Sequence, residues 1–224
     1  MIKHKQQPKI LRSNESGFTI IESLIAMLVA AVLLTAIAPV IVLATASRVQ
    51  ARRIELGTQA ARTYIDGVRT GAITSPVSTS TGVTLDGSDP PTVGSLTCSA
   101  NAYCTVPATP ANNLYCIDGD GNGSCTVGNS KDLLVQAFRY NTASTNANTG
   151  YQLGVRVYRA DGFDSNGNLK KAPSKQATFT GGIGDRKAPL VEMTTAIASQ
   201  TSSFNDLCNR LKVTGSTTSN TTCN

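Results

Sequence analysis

The chain has 224 residues, of which 40% are hydrophobic, so it is long and apolar enough for one or two packed domains. Aromatic residues make up only 5% and tryptophan is absent, which predicts a small, mainly aliphatic core. The formal net charge is +6, but aromatic residues are not interleaved with the basic ones, which argues against a nucleic-acid partner. The single histidine is His4, so Ser–His and Cys–His nucleophile pairs are excluded after Gly17, and we expect no enzyme.

The first predicted element is a long apolar helix behind a basic leader. Residues 1–17 are polar and basic, and residues 18–46 are almost continuously apolar. A bilayer core about 30 Å thick requires roughly 20 apolar residues in a helix, and this run meets that length. Two alternatives are an uncleaved anchor and an ordinary secretory signal peptide. The residues Ala44-Thr45-Ala46 resemble the cleavage site of such a signal peptide. Basic residues flank the run, as is usual near lipid headgroups: Lys3, Lys5, Lys9 and Arg12 before it, and Arg48, Arg52 and Arg53 after it.

Glu22 is the unusual residue of this run. A carboxylate inside an apolar helix costs on the order of several kcal/mol unless it is paired, and a simple anchor has no use for it. Cleavage after Gly17 would give Phe18 a free amine, which Glu22 of a neighbouring copy would neutralise. At low dielectric such a pair fixes axial register, because a slip would leave both charges buried and unpaired.

The stretch from Ser16 to Ala26, SGFTIIESLIA, resembles the type III signal of type IV pilins and pseudopilins. The resemblance implies that Gly17 precedes the scissile bond, that Phe18 is the methylated first residue of the mature chain, and that Glu22 acts in assembly. Pro39 matches the helix-kinking proline of many pilins. The implied fold is pilin-like α+β, in which a long N-terminal helix, transmembrane in its first half, packs on an antiparallel β-sheet.

The same resemblance implies partners and a location. The partners are a prepilin peptidase, other pilins or pseudopilins in a filament, and a pilus assembly platform. The chain would cross the bacterial inner membrane once, with its C-terminal domain in the periplasm, and later reach the pilus and the cell surface. Four regions are expected: a cytoplasmic leader (1–17), a transmembrane and filament-core helix (18–46), the amphipathic half of the same helix (47–71), and an exported β-rich domain with disulfide-stapled loops (72–224).

After residue 46 the pattern becomes amphipathic. An apolar series at helical spacing predicts a face that the exported domain covers, and Gly71 marks the helix end. Arg62 and Asp66 stand at i,i+4 and are expected to pair weakly. The apolar series consists of Ile54, Ala61, Ile65 and Val68.

The six cysteines all follow the apolar run, which indicates disulfides in an oxidising compartment. A zinc site would need CxxC or histidine partners, and neither occurs there. Residues 75–130 form a Ser-, Thr- and Gly-rich loop region that cysteines are expected to staple. Our first expectation is pairing between neighbours, Cys98 with Cys104 and Cys116 with Cys125, although the sequence leaves the connectivity open. Cys208 and Cys223 would close a C-terminal loop, as in many pilins.

Three strands are predicted after the loop region. Residues 133–140 and 190–197 are β-rich runs, and residues 151–159 alternate through Leu153, Val155 and Val157. They form an antiparallel meander that covers the helix on one face. A short helical turn is expected at residues 204–211.

One loop resembles the start of a calcium site. Asp118, Asp120 and Asn122 offer oxygen ligands at alternate positions, and glycines permit the turn. The closing glutamate of an EF-hand falls on Asn129, so a plain Asp/Gly turn is the stronger interpretation and calcium is the one cofactor left open. A second acidic patch, weaker still, consists of Asp161, Asp164, Asn166 and Asn168.

Three further stretches narrow the resemblance: residues 48–53 (RVQARR), 157–161 (VYRAD) and 185–191 (DRKAPLV). They are similar to cyanobacterial pseudopilins of hormogonium polysaccharide secretion, which resemble minor pilins of the PilV kind. This similarity implies a filament subunit that supports polysaccharide export and gliding motility. The alternatives are a pseudopilin of type II secretion, a tip adhesin that binds calcium or glycan, and a plain membrane-anchored periplasmic protein.

Overall fold

The fold is taken from a computed structural model, which describes residues 17, 19–79, 84–107, 112–141, 144–177, 184–199 and 201–211. The chain separates into two units, Met1–Ala44 and Thr45–Asn224. The first contains the apolar turns of the N-terminal helix. The second contains the remaining turns of that helix together with the β-sheet and its loops.

Helix α1 spans Ile20–Thr70, a single run of 51 residues. Its end follows from Gly71, whose φ of +78° lies in the left-handed region that glycine adopts without strain. The buried positions lie in the later turns and recur every three or four residues, which confirms the amphipathic pattern expected from the sequence. From Gly57 onward they are Gly57, Ala60, Ala61, Tyr64, Ile65 and Val68.

In chain order the elements after α1 are β1 (Cys98–Ser99), β2 (Leu114–Ile117), β3 (Ser124–Cys125), β4 (Leu133–Tyr140), β5 (Tyr151–Arg159), β6 (Val191–Ile197) and α2 (Phe204–Leu211), with 3₁₀ turns at Ala147–Thr149 and Ala160–Phe163. The second unit is built on a four-stranded antiparallel sheet of order β2-β4-β5-β6. Three of these strands were predicted, and the fourth, β2, is a short strand within the loop region. A separate pair of short strands, β1 and β3, joins two parts of the loop region.

One face of the sheet packs against the later turns of α1. Leu153, Val155 and Val157 of β5 point to this face, as their alternation predicted, and all are fully buried. Tyr64 of α1 meets the rings of Tyr103 and Tyr115 edge-on, with centroid distances of 6.4 and 5.3 Å. This core is therefore aliphatic with a tyrosine cluster at one end.

The opposite face of the sheet is also buried, a feature that the sequence analysis did not predict. Here the loop region packs over Leu134, Tyr158 and Phe163, which are fully buried. Leu85 lies directly over Gly154, since a Cβ on that glycine would come within 3.0 Å of the Leu85 Cβ. Loops thus form a third layer, and they enclose a second core.

Arg156 of β5 fixes part of this layer to the sheet. Its side chain is fully buried, and its Nε donates to Glu192 Oε1 of β6 at 2.7 Å. Its Nη1 donates to the Ser88 carbonyl at 2.8 Å, and Nη2 donates to the Leu85 carbonyl. Gln136 of β4 adds a 2.9 Å bond to the Asp89 carbonyl. The backbone of residues 85–89 is therefore held by side chains that rise from two strands.

Two disulfides staple the loop layer, and they are the neighbour pairs expected from the sequence. Cys98 is joined to Cys104 and Cys116 to Cys125, with Cα–Cα distances of 4.1 and 5.9 Å. Cys208 is also disulfide-bonded. The expected partner of Cys208, Cys223, lies outside the described residues, so that pairing stays a prediction.

One expected ion pair is replaced by another. Asp66 Oδ1 lies 3.9 Å from Nη1 of Arg69, one turn further along α1. Among the described residues, Asp66 forms its ion pair with Arg69. The Arg62–Asp66 pair expected from the sequence is therefore wrong. In either pair the two residues are about one helical turn apart and exposed, so replacing one pair by the other changes the free energy of unfolding little.

Candidate functional site

The N-terminal candidate site begins at the first turn of α1. Gly17 is exposed, and apart from its chain neighbours no described residue lies within 4 Å of the position a Cβ would occupy. Phe18 lies outside the described residues. The Thr19 hydroxyl accepts a 3.3 Å hydrogen bond from the Glu22 backbone N–H, which makes Thr19 the N-cap of the helix. Threonine followed three residues later by glutamate is the capping-box pattern, and the structure shows the half of it in which Thr19 accepts from the Glu22 N–H.

Glu22 is the single ionisable residue between Ile20 and Ala44. The other polar side chains of this segment are satisfied by the helix itself. The Ser23 hydroxyl donates to the Ile20 carbonyl at 2.8 Å, and the Thr35 hydroxyl lies 2.9 Å from the carbonyl of Val32. Hydroxyls bonded within the helix are compatible with an apolar environment, whereas a carboxylate is not.

The apolar side chains of these turns are exposed all round the helix. Ile20 is 87% exposed, and Leu28 and Val40 are 60% and 63% exposed. A window of eighteen residues reaches a mean hydropathy of 2.8, and none of it is buried. By length and composition the helix can cross a membrane, and apolar surface on every side indicates an environment of lipid or of other helices.

Pro39 lies inside α1 and does not end it. It has no N–H for the carbonyl of Thr35, which stands four residues earlier. A proline at this depth is tolerated where neighbouring groups compensate for the missing hydrogen bond. Its role in filament packing stays a prediction.

The acidic loop after β2 is held by hydrogen bonds between its own side chains and backbone. Asp118 Oδ1 accepts from the Gly121 N–H and Oδ2 accepts from the Gly123 N–H, both at 2.7 Å. These backbone donors, Gly123 foremost, lower the pKa of Asp118. Asn122 Oδ1 accepts from the Ser124 N–H at 2.9 Å. The side chains named as calcium ligands thus serve as acceptors for the turn itself, as Asx-turns do.

The structure adds Asp132 to this loop, which sequence spacing did not find. One oxygen from each of Asp118, Asp120 and Asp132 lies within 4.8 Å of the others. Asp132 is buried and accepts from the N–H groups of Gly119 and Thr126 at 3.2 and 3.3 Å. Burial nevertheless raises the pKa of Asp132. Asp132 lies just before β4, and only the β2–β4 pairing carries it to the loop.

The second acidic patch is neutralised by cations. Asp161 is paired with Arg159, and Asp164 lies 3.3 Å from Arg186 Nη2. Lys187 Nζ donates to the Gly162 carbonyl at 2.8 Å and also to Asp164. These two carboxylates are therefore paired with cationic side chains of the protein itself.

Comparison with known proteins gives one match. Residues 12–38 match the model of the prokaryotic N-terminal methylation motif. No curated protein and no solved structure matches the chain significantly. The match covers Gly17, Glu22 and the first turns of α1, the residues whose geometry is described above. The chain therefore carries the type IV pilin-like signature on an α+β layout of long apolar helix and antiparallel sheet, and this signature implies cleavage by a prepilin peptidase and assembly with other pilins.

Proposed function

We propose that the chain is a minor pilin or pseudopilin, a structural subunit of a type IV pilus-like filament. The observation that carries the proposal is Glu22, the single carboxylate of residues 20–44, a segment of α1 whose apolar side chains face outward on every side. Apolar exposure fits both a bilayer and a bundle of neighbouring helices. A buried carboxylate fits only a setting that supplies a positive partner.

The proposed partner is the amine of a neighbouring copy. Cleavage after Gly17 creates this amine on Phe18, and methylation leaves it cationic. Pairing between copies sets the axial step, since a shifted neighbour would leave one buried charge without its partner. Within this proposal residues 1–17 are the leader, 18–46 the filament core, 47–71 the amphipathic half of the helix, and 72–224 the exported domain.

The narrower role is proposed from three sequence stretches similar to cyanobacterial pseudopilins. On that basis the subunit supports polysaccharide secretion and gliding motility, with its C-terminal domain in the periplasm and later on the cell surface. Membership of a type II secretion system is the alternative. The stretches supporting the narrower role are 48–53, 157–161 and 185–191.

The deciding experiment separates the charge of Glu22 from its local role in the helix cap. Glu22→Gln keeps a residue suited to the capping box but removes the charge. Thr19→Ala removes the cap and keeps the charge, so it is the matched control. We expect both variants to reach the membrane and to be processed to a mature chain beginning at methylated Phe18, as read by mass spectrometry.

The two variants should differ in assembly. In sheared filament fractions we expect Glu22→Gln to be depleted at least about tenfold, since an unpaired buried amine costs more than 1.4 kcal/mol. Thr19→Ala should be incorporated nearly as well as the natural chain. Full incorporation of Glu22→Gln would refute the pairing, and a mature chain that retains Met1 would refute the pilin assignment itself.

A second candidate function is a tip subunit that binds calcium or glycan. It is supported by the grouping of Asp118, Asp120 and Asp132, which provides oxygen atoms at short range. Against it, the carboxylates of Asp118 and Asp132 already accept hydrogen bonds from backbone N–H groups of the same loop. We therefore rank it below the structural role.

A further inference from the structure

A cavity of about 500 Å³ lies within the second unit, where the later turns of α1 meet the end of the sheet. Its size falls in the range of about 300–1,000 Å³ typical of sites for small molecules. Among the described residues that line it, the three charged ones, Arg53, Lys131 and Arg159, are cations and none is acidic. The apolar lining residues include Leu56, Ile117 and Leu190.

Arg159 is a buried cation whose guanidinium has hydrogen-bond donors without acceptors in the described ranges. Its side chain is 2% exposed, and its Nη2 is paired with Asp161. Its Nε and Nη1 are buried, and neither has a hydrogen-bond partner in the part of the chain that the structure describes. A buried donor without an acceptor costs about 1–3 kcal/mol, and more when it belongs to a charged group. Asp161 Oδ1 of the same ion pair is likewise buried without a partner among the described residues, and Arg159, the last residue of β5, borders the cavity.

A second guanidinium lies close to the first. Arg53 stands on α1 and also lines the cavity. Partial burial, and then repulsion by Arg159, lowers the pKa of Arg53, while Asp161 has the opposite, smaller effect. Asp161 does not line the cavity among the described residues. An anion bound between Arg53 and Arg159 would relieve this repulsion and accept the unmatched hydrogen bonds.

The cavity also unites the three stretches that the sequence analysis had singled out. Arg53 belongs to residues 48–53, Arg159 to residues 157–161, and Leu190 to residues 185–191. These segments are far apart along the chain and meet through the packing of the fold: the Leu190 N–H donates to the Val157 carbonyl at 2.8 Å, and the Leu190 side chain packs against Gly57 of α1. The cavity lies where they meet.

We propose that this cavity binds a small organic carboxylate with an apolar body. The carboxylate would accept hydrogen bonds from Arg159 and Arg53 in the forked geometry that suits guanidinium groups. The apolar body would lie against Leu56, Ile117 and Leu190. An inorganic anion would leave this apolar wall uncovered, and a neutral apolar molecule would leave Nε and Nη1 of Arg159 unmatched.

The test uses the full chain in micelles of an uncharged detergent, with 4-(trifluoromethyl)benzoate as the probe. Its neutral analogue, 4-(trifluoromethyl)benzyl alcohol, has nearly the same shape without the charge. The readout is the Nε–Hε signal of Arg159 in ¹⁵N-resolved NMR, which reports on one of the unmatched donors. We expect the benzoate to shift this signal in a saturable titration, and the alcohol to leave it in place.

Two variants locate the site. Arg53→Gln removes one wall cation from a partly exposed position, so folding should be preserved and visible in the same spectrum. We expect it to weaken benzoate binding about tenfold, the loss of one charge-assisted hydrogen bond. Arg62→Gln, on the exposed side of the same helix, is the matched control and should bind as the natural chain does. Equal responses to benzoate and alcohol, or equal binding by Arg53→Gln and Arg62→Gln, would overturn the proposal.

Discussion

Arg156 offers the sharpest test of how the loop layer is held. Replacement by methionine keeps most of the apolar stem but removes a guanidinium that bonds Glu192 and the carbonyls of Leu85 and Ser88. Glu192 is only 5% exposed, so its carboxylate would remain buried without its cation. Breaking a buried pair in this way costs about 3–5 kcal/mol. We expect Arg156→Met to lower the free energy of unfolding by that amount.

The double variant Arg156→Met/Glu192→Met separates the pair from simple packing. Replacing both partners with apolar residues removes the stranded charge, so the double variant should be more stable than Arg156→Met alone. The assay is denaturant unfolding of the full chain in detergent, followed by near-ultraviolet circular dichroism of the tyrosines. Hydrogen exchange should accelerate at residues 85–89 in Arg156→Met and much less within β4.

Two results would refute this reasoning. If Arg156→Met lowered the free energy of unfolding by less than about 1 kcal/mol, the Arg156–Glu192 pair would contribute no more than an exposed salt bridge does, which is inconsistent with its burial. Unchanged exchange at residues 85–89 would mean that other contacts hold this segment. Either outcome would remove Arg156 from the account of the second core.

Three other predictions address the staples, the tyrosine cluster and the acidic loop. Replacing Cys116 and Cys125 together by serine should lower the free energy of unfolding by about 2–3 kcal/mol, the closure entropy of so short a loop; no change in the denaturation midpoint would contradict this. Burial raises the pKa of Tyr103 to about 12, above the value of about 10 in an unfolded chain, so its contribution to stability is complete below pH 10 and is lost as pH rises towards 12. Tyr103→Phe should flatten that part of the stability profile, and an unchanged profile would count against it. Calorimetry of the full chain should show no heat of calcium binding, because the carboxylates of the acidic loop already accept hydrogen bonds from its backbone. A heat of calcium binding that disappears in Asp132→Asn would contradict this prediction and favour the tip-subunit alternative.

Local patterns were enough to predict the long helix and most of the sheet. Period-two alternation placed Leu153, Val155 and Val157 on one face of β5, and helical spacing placed Ala61 and Ile65 on the buried side of α1. Each of these signals depends only on residues close in sequence. The start of α1 and its end at Gly71 followed in the same way. The two loop disulfides match the first expectation of pairing between neighbours, but the sequence left their connectivity open.

The second core was not predictable from such patterns, because its cover is irregular loop. Residues 84–97 have no periodicity, so nothing marked Leu85 as a core residue or Arg156 as buried. One signal was available. Gly154 interrupts an otherwise regular strand, and a glycine inside a strand often marks close approach by another part of the chain. Leu85 occupies that space.

The candidate sites likewise divide into those that a local sequence pattern predicts and those that depend on the completed fold. Gly17 and Glu22 form a contiguous motif and were identified from the sequence. Asp132 joins the acidic loop, and Arg159 meets Arg53, only through strand pairing and the packing of α1 on the sheet. Contacts between residues so distant in sequence depend on the completed fold, and a single sequence does not encode them in any local pattern.

The apolar turns of α1 also bear on how the proposed filament would grow. Lipid tails and neighbouring helices are equally apolar, so moving Ile20 or Leu28 from one to the other would change little hydrophobic free energy. In the proposed subunit, departure from the bilayer would therefore have to be favoured by close packing, by charge pairing, or by work done elsewhere in the assembly machinery. The hydrophobic effect alone would favour neither direction of this transfer, so a small change in the other contributions would be enough to direct or to reverse it.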